Sequence, residues 1–591
     1  MSTPVPPGVV PGAYDKSPVI DLPDGHRAHV GSDAWQHLAS LLGPGTVMAV
    51  DTYPGSDLAA LRAELHAAAP GATVIDVEEA AALSRDELDA LIARDLTDDR
   101  VFGVLGHHVL SEFYDDARLA AVADDVRRAD GPVVLYGWGA ALVPVRVDVL
   151  VLADLARWEI QRRQRAGAPN WRADNGDEDQ LRKVKRGYFV EWRTADRHKR
   201  ELFDRIDLVL DANDSMSGAK LIEARTFFAG LENASRRPFR VVPFFDPGVW
   251  GGQWMKTVLE VGDEGNYAWC FDCVPEENSL LLGVDGVVVE VPALDLVFRH
   301  PRELLGDRTH ARFGAEFPIR FDFLDTMGGG NLSFQVHPLT GYMQDVFGMP
   351  YTQDESYYLL DAGDDAVVYL GVQEGVDRDE MEGALRTAAA GGEAFPAERF
   401  VAAFPAAKHD HFLIPAGTVH CSGADSMVLE ISATPYIFTF KMWDWGRLGL
   451  DGVPRPVHLD HALANIQWER DASFARDELV GQVTEVARGE GWVEERTGLH
   501  ALEFIEVRRH WFDGVVPHDT RGTVNVLNLV EGAEAVVESP TGAFEPYVVH
   551  YAETFIVPAA VGPYTVRPHG RGVGQRLGTV KASVRGTADD D

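Results

Sequence analysis

The stretch NLSFQVHP (331–338) places a glutamine and a histidine two residues apart in an apolar run. In a strand, residues i and i+2 face the same side, so Gln335 and His337 point into one space. Further on, Glu355 sits in TQDESYYLLDAG, just ahead of the strand-like YYLL, and His420 closes IPAGTVH. In that last segment proline fixes φ and glycine tolerates positive φ, giving a tight turn from which the next strand can aim His420 inward. Two imidazoles, one carboxylate and one amide oxygen form a ligand set suited to zinc, or to Fe(II) or Mn(II). Singly, each has an ordinary use, as a hydrogen-bonded core histidine or a solvated glutamate. Their joint spacing is what points to a metal.

The 591-residue chain carries a formal net charge of −38. Such a surface repels nucleic acid and anionic lipid, and at long range phosphorylated metabolites as well. A site for a phosphate ester therefore needs a local cationic cluster. Lys441, Arg447, Arg455 and His458 lie close together in the sequence and supply one, with salt bridges to Asp444, Asp451 and Asp460 as the competing use. His409 and His411, in KHDHFLIP, are candidate general bases or ordinary turn histidines.

The elements that must position these residues change in character along the chain. Over roughly the first 235 residues apolar strands (47–53, 72–77, 100–106, 132–137, 148–154) alternate with amphipathic helices (57–69, 85–96, 118–129, 154–167). That alternation predicts an α/β layer on a mostly parallel sheet. Beyond about 240, short strands with Gly/Pro turns dominate, as in a sandwich or barrel, interrupted by a helical insertion at about 376–405. HFLIPAGTVHCS (411–422) is echoed by TFIVPAAVGPYT (554–565), with His420 opposite Pro563. The echo suggests two related jelly rolls, of which only the first keeps the metal-binding histidine. The expected divisions are 1–235, 236–470 and 471–591.

Hydrophobic residues make up 46% and charged residues 25% of the chain, an ordinary globular balance. No apolar run is long enough to span a membrane. Residues 1–17 lack the basic start and apolar core of a secretory signal and read as a flexible lead. Three cysteines exclude a disulfide framework and fit a reducing, cytoplasmic compartment. Cys270 and Cys273 form a CxxC, either a redox pair or two half-buried strand thiols, with no second CxxC to complete a zinc site.

The QVHP segment, a glutamate opening a strand eighteen residues later, and IPAGTVH together resemble the class I mannose-6-phosphate isomerases of the cupin superfamily. FFDPGVWGGQW (244–254), NYAWCFDC (266–273), FPIRFDFLDT (317–326), VLEIS (428–432) and TFKMWDWGRLGLDGVPRPVHL (439–459) extend the likeness in order over about 240–585. The resemblance implies a zinc-binding cupin with a helical insertion, a second metal-free jelly roll, and Gln335, His337, Glu355 and His420 as metal ligands. It implies proton transfer between C1 and C2 of a sugar phosphate, with Glu430 as base, Lys441 and Arg447 in catalysis, and Ser333, Arg455 and His458 on the substrate. Three positions depart from the family. Asp322 and Gln353 stand where lysines are usual, and Lys441 falls at the position of the active-site arginine, with one residue inserted after Glu430. A non-catalytic sugar-phosphate sensor and an Fe(II) cupin oxygenase are the alternatives.

The first 235 residues resemble P-loop kinases of nucleosides and sugars in DLVLDAND (207–214) and YFVEWRTADRHKR (188–200), yet contain no GxxxxGK[ST]. LYGWGAALV (135–143) is the nearest phosphate-loop candidate. The resemblance implies a kinase-like domain unable to hydrolyse ATP, which either binds a nucleotide or sugar or only packs.

Overall fold

A computed structural model describes residues 5–6, 9–262, 265–433, 437–498, 500 and 503–586. The chain is multidomain and mostly sheet with helices. It divides into two compact units, one of 19–234 with 275–300, the other of 1–18, 235–274 and 301–591. The units cut the chain differently from a division at 235. Strands Ser279–Val284 and Val287–Pro292 form a hairpin whose first strand pairs in parallel with Val19–Asp21, which ties 275–300 to the first unit.

In that unit the strands Leu208–Asp211, Val149–Asp154, Val47–Thr52, Val133–Gly137 and Thr73–Asp76 lie side by side and parallel. Lys220–Glu223 and Ala28–Val30 extend the sheet antiparallel at one edge. The central strands are apolar up to the polar residues at their C-terminal ends, as in a parallel sheet buried on both faces, and Met48, Val50, Val134 and Leu135 are fully buried. Helix starts follow the side chains that can accept orphan N–H groups. Asp57 caps Leu58–Ala68, Ser84 and Glu87 form a reciprocal capping box on Arg85–Leu96, and Asp115 caps Asp116–Arg128.

The expected strand at 100–106 is not one. Val104 N–H bonds to Asp95 O at 2.7 Å and Gly106 N–H to Phe189 O at 2.8 Å, so its backbone partners lie outside any sheet. The phosphate-loop candidate is also corrected. Asp51 accepts from Gly139 N–H at 3.4 Å and Ala141 N–H at 2.8 Å, and Glu78 from Trp138 N–H at 2.7 Å. The protein's own carboxylates already hold the amides a phosphate would use.

The second unit holds two antiparallel two-sheet barrels. In the first, His411–Ile414, Glu355–Ala362, Ser426–Ala433, Ile319–Asp325, Tyr267–Cys273 and Phe244–Gly252 form one sheet, in that order. Val401–Pro405, Val367–Val372, His420–Ser422, Phe334–Val336 and Phe440–Trp443 form the other. The helical insertion is Arg378–Ala389 and Ala397–Phe400, the latter running straight into strand Val401–Pro405. In the second barrel the six-stranded sheet runs Thr484–Gly489, Trp492–Gly498, Ile505–Phe512, Leu577–Val584, Asn525–Glu531, Thr554–Val557. Val516–Asp519, Pro563–Pro568, Glu534–Glu538 and Tyr547–His550 form its four-stranded partner. Leu527, Leu529, Val537, Phe555, Val566 and Leu577 build the apolar core of this barrel.

The described part of the N-terminal lead is packed, not flexible, while residues 1–4, 7 and 8 lie outside the described residues. Tyr14 is buried and its hydroxyl donates to Asp272. Arg240 sits 4.5 Å from the Tyr14 ring centre, bonds Asp15 O at 2.7 Å, and pairs with Glu553 at 2.9 Å and Asp272 at 3.3 Å. One buried guanidinium thus joins the lead, the first barrel and the second. Cys270 and Cys273 are free and wholly buried, and burial raises both thiols, which argues against an exposed redox pair.

Arg240→Met strands two buried carboxylates and is expected to cost about 3–5 kcal/mol, read as a lowered denaturation midpoint; an unchanged midpoint means those carboxylates find other partners. Burial pushes the His411 imidazole down to about 4 from an ordinary 6.5. The unfolded chain therefore binds a proton that the folded chain refuses, so this contribution is complete above pH 6.5 and drains away as pH falls towards 4. Melting temperature is expected to decline over that window, with a shallower slope in His411→Leu.

Candidate metal centre

Gln335 belongs to strand Phe334–Val336 and stands directly across from His420, the first residue of strand His420–Ser422. His337 follows the strand end, and alternation puts Ser333, Gln335 and His337 on one face. The turn before His420 depends on Gly417. Its φ is +89°, its N–H bonds His337 O at 2.9 Å, and a Cβ there would lie 2.7 Å from Gln467 Cγ. From the facing sheet comes Glu355, first residue of strand Glu355–Ala362.

The side-chain tips converge. His337 Nε2 lies 3.1 Å from Glu355 Oε2, and His420 Nε2 lies 2.9 Å from Glu355 Oε1. The Gln335 amide nitrogen is 3.1 Å from His420 Nε2, and turning that amide over would present its oxygen instead. Each imidazole is anchored from behind, His337 Nδ1 on Phe438 O at 3.2 Å and His420 Nδ1 on Thr418 O at 2.9 Å. A proton on Nδ1 leaves the Nε2 lone pair facing inward, the arrangement found when a backbone carbonyl orients a metal-binding histidine.

Among the described residues, His337, Glu355 and His420 are the one group of three such side chains close enough to share an ion. His337 Nε2 and His420 Nε2 each face one oxygen of the same Glu355 carboxylate. Two lone pairs aimed at a carboxylate in a dry interior require a cation between them or protons on the rings. If the rings carry those protons, their charge outweighs the burial that would raise the Glu355 pKa and holds this carboxyl well below the usual range. The residues present therefore fit a divalent ion with mixed nitrogen and oxygen ligands.

Beside this trio lies a second cluster. Cross-strand register aligns Arg320, Ser432 and Glu355 in one row and Asp322, Glu430 and Tyr357 in the next. Gln353 Nε2 donates to Glu355 Oε2 at 3.1 Å and to Glu430 Oε1 at 3.3 Å. Arg320 stands 3.4 Å from Asp322 and 3.8 Å from Glu430. Burial drives Asp322 up to about 6 against the pull of Arg320, and lifts Glu430 well above the usual carboxylate range, with Asp322 and Glu355 adding to it. Glu430 thus comes next to the trio. Arg320 and its contacts were not anticipated; the alternation R-F-D-F in an otherwise apolar strand was the available signal.

The cationic group is divided. Lys441 pairs in register with Gln335. Arg447 and Arg455 both bind Asp444, the latter at 2.9 Å, so that carboxylate takes the competing role foreseen for it. His458 donates its backbone N–H to Lys441 O at 2.7 Å and precedes helix Leu459–Asn465. His409 and His411 are not at the centre. His411 shares the outward strand face with Tyr358, and His409 bonds Tyr358 and Glu531 and meets the Trp511 ring edge-on.

A family described as a domain of unknown function (DUF8485) matches residues 33–236. A mannose-6-phosphate isomerase of Streptococcus mutans is 27% identical over 219 residues, 36% of this chain and 63% of that protein. One of Bacillus subtilis is 25% identical over 230 residues, 39% of this chain and 68% of that protein. The chain therefore spans just under two thirds of the length of the first of these relatives. A crystal structure of the Bacillus subtilis mannose 6-phosphate isomerase superposes with TM-score 0.48 and 17% identity, covering 59% of this chain and all of that one.

The purified protein is expected to hold about one divalent ion per chain, counted by elemental analysis after dialysis. Glu355→Gln and His420→Ala should lose the ion, and with it the rise in melting temperature that added zinc gives the chelated parent. Full metal content in both variants would remove these residues from the ligand set.

Proposed function

We propose that the chain is a metal-dependent aldose–ketose isomerase interconverting mannose 6-phosphate and fructose 6-phosphate, or a related sugar-phosphate pair. The observation that carries this reading is the convergence of His337, Glu355 and His420, with Gln335, beside a buried carboxyl cluster. The curated relatives, named as mannose-6-phosphate isomerases, support it. Zinc is the proposed ion, with Fe(II) or Mn(II) also suited to the ligands. When bound, it supplies a Lewis acid that polarises the substrate oxygens at C1 and C2.

The remaining work falls to the chain's own side chains. Glu430, when ionised, takes the proton from C2 of the aldose and returns it to C1, while a second proton moves between the two oxygens, so composition is unchanged. Gln353 bridges Glu430 to Glu355 and holds the base beside the centre. Arg320 favours an ionised carboxyl in a pair, Asp322 and Glu430, that burial would otherwise keep neutral. Lys441, beside Gln335, is the proposed partner of developing or phosphate charge. A phosphate reaching Arg447 and Arg455 shares them with Asp444, and Ser333 and His458 complete the substrate contacts in this reading.

One observation favours a sensor instead: Asp322 and Gln353 stand where lysines are usual in the family that the sequence resembles. A coupled assay with mannose 6-phosphate distinguishes the two. The isomerase loses turnover on chelation and regains it with zinc in the parent but not in His420→Ala. Glu430→Gln is expected to lower kcat by about 10²–10⁴ with little change in KM. Saturable binding of mannose 6-phosphate without turnover in the zinc-loaded parent would replace the isomerase reading with the sensor.

A further inference from the structure

The two barrels can be aligned strand for strand, because their six-stranded sheets have the same order of strands along the chain. The echoed prolines fix the register. Ile414, just before Pro415, pairs with Glu355, and Val557, just before Pro558, pairs with Asn525. Following the rows inward, Arg320–Ser432–Glu355 corresponds to Glu506–Ser583–Asn525. The next row, Asp322–Glu430–Tyr357, corresponds to Arg508–Lys581–Leu527. The second barrel therefore places a lysine where the first has Glu430, an arginine where it has Asp322, and a neutral amide where it has Glu355.

A cavity of about 240 Å³ opens at these substituted positions, bordered by Arg508, His510, His518, Asn525 and Lys581. Arg508 is neutralised, bonding Glu506 at 2.6 Å and Glu494 at 3.1 Å. Lys581 makes no hydrogen bond or ion pair among the described residues, although the charge of Glu494 across the same cavity acts on it. It keeps some accessible surface, yet lies deep enough that burial pushes its pKa down to about 8. His518 is 7% exposed, stacks on Tyr564, and neither of its ring nitrogens has a partner. The unsatisfied, buried His518 imidazole is costly unless a polar group fills the space beside it, and the half-buried Lys581 ammonium borders the same cavity.

We propose that this cavity of the second barrel binds a small oxyanion, the phosphate or carboxylate group of a metabolite, with Lys581 and His518 as its direct contacts. At equivalent positions Glu430, Asp322 and Glu355 of the first barrel give way to Lys581, Arg508 and Asn525, while Arg320 gives way to Glu506, which the arginine beside it neutralises. The proposal stands on the cavity and the register, and does not require the isomerase reading.

Calorimetric titration of the full chain tests it, with inorganic phosphate, citrate and neutral mannitol as probes and His420→Ala as the background that removes the other site. Saturable binding of phosphate or citrate, whichever fits, is expected, with none for mannitol. Lys581→Met should weaken it about 10- to 100-fold, the loss of one charged hydrogen bond, while Lys581→Arg retains most of it. His518→Phe should also weaken it without lowering the melting temperature. Equal affinity in Lys581→Met, or no saturable anion binding in His420→Ala, overturns the proposal.

Discussion

A carboxylate enclosed by two imidazoles, all three out of reach of water, is the arrangement around which the first barrel is organised. Each group alone would be expensive to bury, and together they are tolerable only if their charges and lone pairs are reconciled at one point. They arrive from separate pieces of backbone in two facing sheets. The reconciliation therefore depends on every intervening pairing being in register. A slip of one residue in strand Phe334–Val336 would turn Gln335 and His337 away from Glu355 altogether. The hydrogen bonds behind the rings, to Phe438 and Thr418, serve the same end by fixing which nitrogen faces inward.

Much of this was legible before any coordinates. Strand alternation brought Gln335 and His337 together, and the proline–glycine turn indicated how His420 could be aimed. Outside segment 100–106 the α/β alternation also translated directly into elements, because apolar periodicity is a local property. What escaped was non-local. Segment 100–106 has a strand's composition, but its glycines let it approach Asp95 and Phe189 instead. Residues 275–300 look like any other pair of strands until the partner of Val19–Asp21 is known. Arg320 was overlooked because a single cation in an apolar strand has meaning only when the carboxyls opposite it are seen.

The comparison of the two barrels shows how one scaffold can be retuned without altering its backbone plan. The strand order and the hydrophobic inner rows persist, while a few inward positions exchange acid for base. In the first barrel two carboxyls share one guanidinium; in the second, carboxylates on Glu494 and Glu506 bond the arginine and leave Lys581 without a hydrogen bond or ion pair of its own among the described residues. The chemical character of each cavity is set by which charges remain unpaired after the internal pairs are counted, more than by the number of charges present.

The bond from Asp15 N–H to Glu553 Oε1, 2.6 Å long, closes a loop of 538 residues. During synthesis at about 5–20 residues per second, its two ends appear from about half a minute to two minutes apart. Until the later end emerges, Arg240 lacks Glu553, one of the two carboxylates with which it pairs. The opening stretch must wait, exposed, while the intervening α/β segment is made. For the growing chain, that interval leaves the lead open to proteases and chaperones.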